Sequence, residues 1–597
     1  MTSPSLYAGR LTLLRQELAL RGLDGFLVPR SDEHQGEYVP PHAMRLAWIS
    51  GFTGSAGLVV VLTKQAALFV DGRYTLQAET EVDSALFSRH HLTDEPPNEW
   101  LAKNLPAGAK LGFDPWLHTP KGVEKLRAAC AKAGAELVAL DCNPLDAVWL
   151  DQPEPPLAPV VPHASDFAGQ SSAEKRSTVA RNLIEEKQDA AFLSSPDSVA
   201  WLLNIRGEDV EFSPLPLCFA IAHRDGSLDL FIDPRKRSAE LETHLGPEVR
   251  LHRPMDMGTV LDGLKGRLVR LDGDSTPAWV EDRLKVAGAK PVSGNDPCAL
   301  PKACKNKVEL DGARQAHLRD GVALVRFLSW LDRHALACSE CSAADRLEEF
   351  RRQNALYRGP SFPTIAGAGP NGAIVHYRAS AESDRKLEAG QLFLLDSGGQ
   401  YLDGTTDVTR TIAIGEVGEE ERHRFTLVLK GHIAIATARF PSGTTGSQLD
   451  VLARQALWNE GLDYDHGTGH GVGSYLSVHE GPQRISKVGN SQSLKPGMVI
   501  SNEPGYYKAG AYGIRIENLL AVKDLPAMGE RQLLGFETLT LAPIDRRLID
   551  ASLLTKAETS WLDAYHRLVE ERIAPLVDGD SSDWLMRVTR PIGAAPQ

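Results

Sequence analysis

Leucines at 11, 14 and 18 recur at the spacing of one helix face, and the short apolar run Gly25-Phe26-Leu27-Val28 follows before polar turn residues. A helix followed by a buried strand predicts an α/β opening. Two phrases of this region return further along the chain. Leu68-Phe69-Val70-Asp71-Gly72-Arg73 is echoed by Leu230-Phe231-Ile232-Asp233-Pro234-Arg235, and Leu46-Ala47-Trp48 by Val199-Ala200-Trp201, so the first two segments read as diverged copies of one domain. Gln152-Pro153-Glu154-Pro155-Pro156, with Pro159 and Pro162, has little capacity for helix or ladder and reads as the linker between them. A further boundary falls near Pro301. The pattern is helical again from Lys307 to His334, and beyond Phe362 it breaks into short β-like runs punctuated by glycine. A last amphipathic helix is predicted over Lys556 to Ile573, as a structural appendage to the preceding domain.

At 597 residues the chain exceeds a single core and should divide into about three or four units. Its 42% hydrophobic and 24% charged composition is that of ordinary globular protein, and 65 basic against 78 acidic side chains leave a net charge of -13. That balance disfavours nucleic acid and anionic membrane as partners and leaves peptides or small molecules. Arg10, Arg15 and Glu17 interrupt the N-terminal apolar residues too early for a signal-peptide core, which predicts a cytoplasmic protein. Seven cysteines are too sparse for a disulfide framework. Cys338 and Cys341 form a C-x-x-C within a helix-like stretch over 330–350 and, lacking a second pair, read as ordinary thiols. Residues 51–57 form a glycine-rich turn without the phosphate-loop pattern.

The chemistry concentrates between His376 and Glu517. Leu392-Phe393-Leu394-Leu395-Asp396 reads as a buried strand delivering a carboxylate, followed by a turn and a second strand leading to Asp407, and antiparallel pairing would set the two acids side by side. Carboxylates so placed in an apolar setting need a shared proton or a cation. In His466-Gly467-Thr468-Gly469-His470-Gly471-Val472-Gly473 four glycines in eight residues exclude the helical zinc-protease motif. The glycines would let backbone approach a ligand, making one histidine a metal ligand and the other a substrate contact. Glu503 precedes Pro504 and so sits in extended or turn backbone. Alternation in Gly513-Ile514-Arg515-Ile516-Glu517-Asn518 puts Arg515 and Glu517 on one face, where Arg515 could steady a ligand carboxylate. Taken singly, Glu517 would be an exposed acid paired with Arg515. Taken together, Asp396, Asp407, His470, Glu503 and Glu517 offer four carboxylates and one imidazole, the charge to balance two divalent cations. Oxygen-rich ligation suits manganese, with zinc or cobalt as alternatives. Two metals about 3.5–4 Å apart can hold a bridging hydroxide and polarise an amide carbonyl.

These residues in this order resemble the pita-bread metallopeptidases, and the flanking text narrows the resemblance to the aminopeptidase P (Xaa-Pro aminopeptidase) family. The text is Ser361-Phe362-Pro363-Thr364-Ile365, Pro370-Asn371-Gly372-Ala373-Ile374-Val375-His376-Tyr377, Asp403-Gly404-Thr405-Thr406-Asp407-Val408-Thr409-Arg410-Thr411, Val478-His479-Glu480-Gly481-Pro482 and Asn502-Glu503-Pro504-Gly505-Tyr506-Tyr507. Asp32-Glu33-His34-Gln35, Ser50-Gly51-Phe52, Asp71-Gly72-Arg73-Tyr74, Trp584-Leu585 and Arg590-Pro591-Ile592 are similar to the long, three-domain cytosolic type. The resemblance implies two related creatinase-N-like α/β domains at 1–155 and 156–303, a pita-bread catalytic domain at 304–545 and a helical extension at 546–597. It implies an aminopeptidase that cuts before a penultimate proline, and a homodimer. Asp396, Asp407, His470, Glu503 and Glu517 would hold the metals, with Glu503 also the proton shuttle. His376, His466, His470 and His479 would surround the substrate, His479 near the scissile carbonyl and His376 on the proline side, and Arg73 would reach it from the first domain. The rival readings are a prolidase confined to Xaa-Pro dipeptides, a non-catalytic peptide-binding module on the same fold and, least favoured, a metal-free enzyme acting on a guanidino substrate.

Overall fold

The computed structural model describes residues 4–526 and 529–592. The chain gathers into two units, Met1–His163 with Gln170–Cys298, and Ala164–Gly169 with Ala299–Gln597.

In the first unit the opening helix spans Pro4–Leu20 and buries Leu11, Leu14 and Leu18, and the strand after it is Gly25–Pro29. The unit holds two six-stranded sheets. Counting the six strands of each in chain order, both run 4-3-2-1-5-6, with pairs 1-2 and 2-3 antiparallel and the other three parallel. The echoed phrases fall at equivalent places. Ala66–Val70 and Leu228–Phe231 are the third strands, and each leads into an aspartate that accepts the backbone N–H of an arginine two residues on, Arg73 to Asp71 and Arg235 to Asp233. The duplication read from sequence is therefore a duplication of topology. Residues 152–160, the proline-rich stretch, carry no regular structure.

The second unit is organised by the helix Lys307–His334. Asn306 caps it, accepting from Val308 N and Glu309 N while Glu309 reaches back to Asn306 N, so two of the end's orphan donors and the cap itself are satisfied. Its inner face buries Leu324, Phe327, Leu328 and Leu331 against Phe393, Leu395 and Ile412 of the sheet Ile365–Ala368, Gln391–Ser397 and Val408–Ile414. A six-stranded sheet runs in the order Phe440–Pro441, Leu533–Thr538, Asn518–Asp524, Val499–Asn502, Gly469–Gly471, Glu480–Ile485. The helix Lys556–Ile573, started by a Thr555/Glu558 capping box, contributes Leu562, Tyr565, Val569 and Ile573 to the same core as the long helix.

The continuous helix expected over 330–350 is two helices. The first ends at His334, a 3-10 turn covers Ala335–Ala337, and a second helix starts at Glu340 because Ser339 caps it by accepting from Ser342 N. Cys338 and Cys341 flank that cap as free thiols, with burial pushing both upward in pKa. Among the described residues no helix is long and apolar enough to cross a membrane.

Candidate metal centre

Asp396 lies in the strand Gln391–Ser397, and its cross-strand partner in Val408–Ile414 is Thr409, not Asp407. Asp407 stands just ahead of that strand, two residues from Thr409 and so on the same face. The strands between the two acids, Gly399–Tyr401 and Gly404–Thr405, belong to another sheet, so the simple hairpin expected from the sequence is absent while the two acids still share a face. Glu503 follows the strand Val499–Asn502, its N–H donating to Thr468 O and its Oε1 accepting from Ser501 Oγ at 3.2 Å. Glu517 sits between the strands Tyr512–Arg515 and Asn518–Asp524, where its N–H donates to Thr409 O and its Oε2 accepts from Thr409 Oγ1 at 2.8 Å. It is 1% exposed and not paired with Arg515, which overturns the exposed-acid reading.

His470 lies at the centre. Its Nδ1 faces Gly471 O at 2.9 Å, an oxygen that can only accept, so Nδ1 carries a proton and Nε2 is the nitrogen turned toward the acids. That Nε2 is 3.5 Å from Asp407 Oδ2 and 3.6 Å from Glu503 Oε1, and ligand atoms of Asp407, His470 and Glu517 lie within 4.8 Å of one another. A Cβ on Gly469 would stand 2.0 Å from Ser501 O and one on Gly471 2.3 Å from Glu480 O, so the flanking glycines let this strand fit between its neighbours.

Arg515 is 2% exposed, and its Nη2 donates to Asp396 Oδ2 at 2.7 Å, with Nε on Thr409 Oγ1 and Nη1 on Tyr507 Oη and Val375 O. Tyr507 in turn donates to His466 Nε2 at 2.8 Å, because His466 Nδ1 is held by Gly467 O. A chain of hydrogen bonds thus runs His466–Tyr507–Arg515–Asp396. His376 follows Val375, whose carbonyl Arg515 touches. The next residue, Tyr377, donates to the buried Glu340, which also accepts from Ala368 N, Asn371 Nδ2 and Arg385 N. The ring of His479 stands edge-on to that of His470, centroids 4.3 Å apart. Arg73 belongs to the first unit, where it is paired with Asp71 at 2.7 Å and lies over Tyr74.

Two positioning groups were not singled out in the sequence. His432, in the helix Glu419–Ala436, points Nδ1 at both Asn502 O and Ile516 O, the residues just before Glu503 and Glu517. Burial, with Arg410 nearby, lowers it to about 3, so it is neutral. Arg410 donates to Glu517 O and Asn518 Oδ1 and is itself held by Tyr565 Oη of the C-terminal helix. Only the pairing of distant strands brings these partners together.

The electrostatics show what the cluster lacks. Burial raises Asp396 to about 7, Arg515 pulling it down and Asp407 pushing it up. Burial and then the repulsion of Asp407, Asp396 and Glu503 raise Glu517 strongly, and Glu503 is raised chiefly by burial. Burial lowers His470, but Asp407 and Glu503 outweigh it and bring it to about 9. Asp396 Oδ1, Asp407 Oδ1 and Glu517 Oε1 are buried without a hydrogen-bond partner in the protein. Bare carboxylate oxygens converging on an imidazole nitrogen, whose proton a metal would displace, are a donor set for hard divalent cations, and the residues present fit that group.

Fold and cluster define a hydrolytic metalloenzyme of the kind that proteins use on peptide bonds. Residues 311–524 match metallopeptidase family M24 and 532–592 its C-terminal region, while 10–144 and 151–309 each match a creatinase/prolidase N-terminal domain. The chain is 41% identical to a probable Xaa-Pro aminopeptidase P of Laccaria bicolor, covering 98% of this chain and 93% of that one, and 38% identical to aminopeptidase P1 of Lotus japonicus, covering 98% and 99%. A solved X-prolyl aminopeptidase of Caenorhabditis elegans, described as a cytosolic enzyme with a di-nuclear active site, superposes with a TM-score of 0.94 at 34% identity, covering 98% of this chain and all of that one. A prolidase of Thermococcus sibiricus covers only 63% of this chain, at 26% identity and a TM-score of 0.51. The chain belongs to the Xaa-Pro aminopeptidase P branch of metallopeptidase family M24.

Proposed function

We propose that the chain is a metal-dependent aminopeptidase that hydrolyses the bond between an N-terminal residue and a penultimate proline. The observation that carries the reading is the Asp396–Asp407–His470–Glu503–Glu517 cluster, buried at Asp396, Asp407 and Glu517, in a chain similar over 98% of its length to Xaa-Pro aminopeptidases. Those five side chains would hold two divalent metals, manganese first with zinc or cobalt as alternatives, which when bound polarise the scissile carbonyl and acidify water. A cytoplasmic location, as the Caenorhabditis elegans neighbour's description has it, and a homodimer complete the reading.

The bond before proline is a tertiary amide without an N–H, so recognition cannot use a donor there and must grip the ring and the leaving nitrogen. Glu503 lies beside His470 with a pKa raised by burial, which suits a carboxylate that takes the proton of the attacking water and passes it on. His479, against the His470 ring, would face the scissile carbonyl, and His376, on the loop organised by Glu340, the proline side. His466 accepts from Tyr507 at Nε2, so its part is to hold the Tyr507–Arg515–Asp396 chain as much as to meet substrate. Arg73 would be a further substrate contact.

The test is to strip the protein of metal, restore manganese, and follow arginine release from Arg-Pro-Pro beside Arg-Pro and Arg-Ala-Ala. Metal-dependent cleavage of Arg-Pro-Pro with Arg-Ala-Ala intact is expected. Cleavage of Arg-Pro alone would transfer the chain to the prolidases, and no cleavage with any divalent metal would leave a non-catalytic peptide-binding module.

A further inference from the structure

Glu480 is a buried carboxylate that no step of the proposed chemistry uses. It directly follows His479 and opens the strand Glu480–Ile485. Its Oε2 accepts from Lys302 Nζ at 2.8 Å and its Oε1 from Lys305 Nζ, and both lysines are buried as well. Two ammonium groups thus converge on one carboxylate inside the fold. An ion triad of this kind is seldom worth more to stability than apolar side chains of equal volume, because desolvation offsets the attraction. It does fix a direction, since the carboxylate meets both ammoniums from one place only.

The backbone shows why an anchor matters here. His470 pairs with Arg484 while its neighbour Gly471 pairs with Glu480, so the two strands lose regular register between His470 and Gly471. A break of this kind re-aims the side chains beside it, and the ladder alone no longer sets where they point. His479 stands at that break, its ring 4.3 Å from that of His470. The stretch that carries the lysines is tied down on its other side. Lys305 N donates to Gly497 O at 3.0 Å and Cys304 forms an antiparallel bridge with Met498, at the turn into the strand Val499–Asn502 that leads to Glu503. Residues 302–305 therefore hold, by backbone, the strand that delivers Glu503 and, by side chains, the residue next to His479.

We propose that Lys302, Lys305 and Glu480 are positioning residues that hold His479 against His470. The effect on turnover rests on the aminopeptidase reading, whereas the effect on the His479 ring rests on the geometry alone.

The combined variant Lys302→Met/Lys305→Met/Glu480→Met exchanges the triad for apolar side chains of similar length and should melt near the parent. In manganese-loaded protein its kcat for Arg-Pro-Pro should fall by about 10–100-fold, the effect of displacing a reacting group by about an ångström, with KM and metal affinity within about three-fold of the parent's. In a His479→Gln background the same three substitutions should cost nothing further, whereas a triad that merely braced the fold would cost the same in both backgrounds. Spectra of zinc-loaded protein carrying 13C-labelled histidine give a second readout. The His479 signal, assigned by its loss in His479→Gln, should move in the combined variant. Should that variant not fold, Lys305→Met, which leaves the neutral Lys302–Glu480 pair, is read by the same measurements and should change in the same directions. Parent kcat, an unmoved His479 signal, or equal losses in the two backgrounds would overturn the proposal. A parent protein inactive with every divalent metal would sink the aminopeptidase reading instead, and the His479 signal would still decide the positioning.

Discussion

Arg515→Met is the substitution that most directly asks what holds the metal cluster together. Arg515 is buried among carboxylates, with Nη2 2.7 Å from Asp396 Oδ2 and Nε 3.2 Å from Thr409 Oγ1, the hydroxyl that also donates to Glu517. Methionine fills much of the same volume and removes the charge. Losing hydrogen bonds to a charged group costs about 1.5–3 kcal/mol each, and removing one partner of a buried ion pair about 3–5 kcal/mol. In metal-free protein the full cost is avoided, because Asp396, already raised to about 7, takes up a proton once the guanidinium that pulls it down is gone. The penalty then reappears on metal binding, which must displace that proton. Metal affinity should fall by about 10–100-fold, the usual cost of losing a group that orients a ligand, and the acid limb of the activity profile should move to higher pH. Arg515→Lys should fall between the two, since an ammonium cannot fork to Asp396, Thr409 and Tyr507 at once. Competition with a fluorescent chelator gives the affinity, and kcat/KM on Arg-Pro-Pro across pH gives the limb. A methionine variant with affinity and acid limb unchanged would show that Arg515 merely packs.

Metal removal carries its own signature. Asp396, Glu503, Glu517 and His470 all have folded pKa values above their ordinary ones, so the stability they contribute is complete below the unfolded values and is lost as pH rises through the folded ones. The melting temperature of stripped protein should therefore fall between about pH 5 and 8, and saturating divalent metal should cancel the fall. A melting temperature that rises over that interval would contradict the cluster's electrostatics. His432→Phe keeps a ring and removes the donor to Asn502 O and Ile516 O, so it should cost about 1–3 kcal/mol and weaken metal binding. Because burial keeps His432 neutral in the fold at about 3 while the unfolded imidazole protonates near its ordinary value of about 6.5, the cost should be full at neutral pH and shrink as pH falls below about 6.5 in thermal melts, and a cost independent of pH would refute that assignment. Gly469→Ala should abolish activity or folding, since its Cβ would meet Ser501 O at 2.0 Å, whereas Gly489→Ala, with open space around it, should be silent in the same peptidase assay.

What could be read from the chain alone was whatever neighbours in sequence decide. The helices Lys307–His334 and Lys556–Ile573 announce themselves because periodicity and capping pair, Asn306 with Glu309 and Thr555 with Glu558, lie within a few residues of each other. The duplicated α/β domain was legible for the same reason, one echo being a strand with its own turn and the other lying within a single short helix, Arg45–Ser50 and Pro196–Leu203. The helix break at Ala335–Ala337 was missed because apolar spacing continues across it while the Ser339 cap resets the phase. The acids and histidines of the site were visible as residue types, but their register was not. Asp396 opposite Thr409 is a property of a pairing between strands, and His432 gains its partners from carbonyls 70 and 84 residues away.

The visible and the hidden parts of the site divide along a physical line. The carboxylates work against folding, since each is held beside like charge, and such local conflict with the global fold is what makes functional residues conspicuous in a sequence. Their supports work with folding. His432, Thr409 and Arg410 satisfy buried backbone or hydroxyl groups as any core residue would, and so look ordinary until the strands are paired. The separation makes a claim about variants: losing Asp407 or Glu517 should cost metal and turnover while sparing, or even raising, the melting temperature of the stripped protein, because mutual repulsion is relieved. Losing His432 or Arg410 should cost stability first and metal as a consequence. A stripped Glu517→Gln protein that melts well below stripped parent would break that division, because it would place Glu517 among the groups that hold the fold.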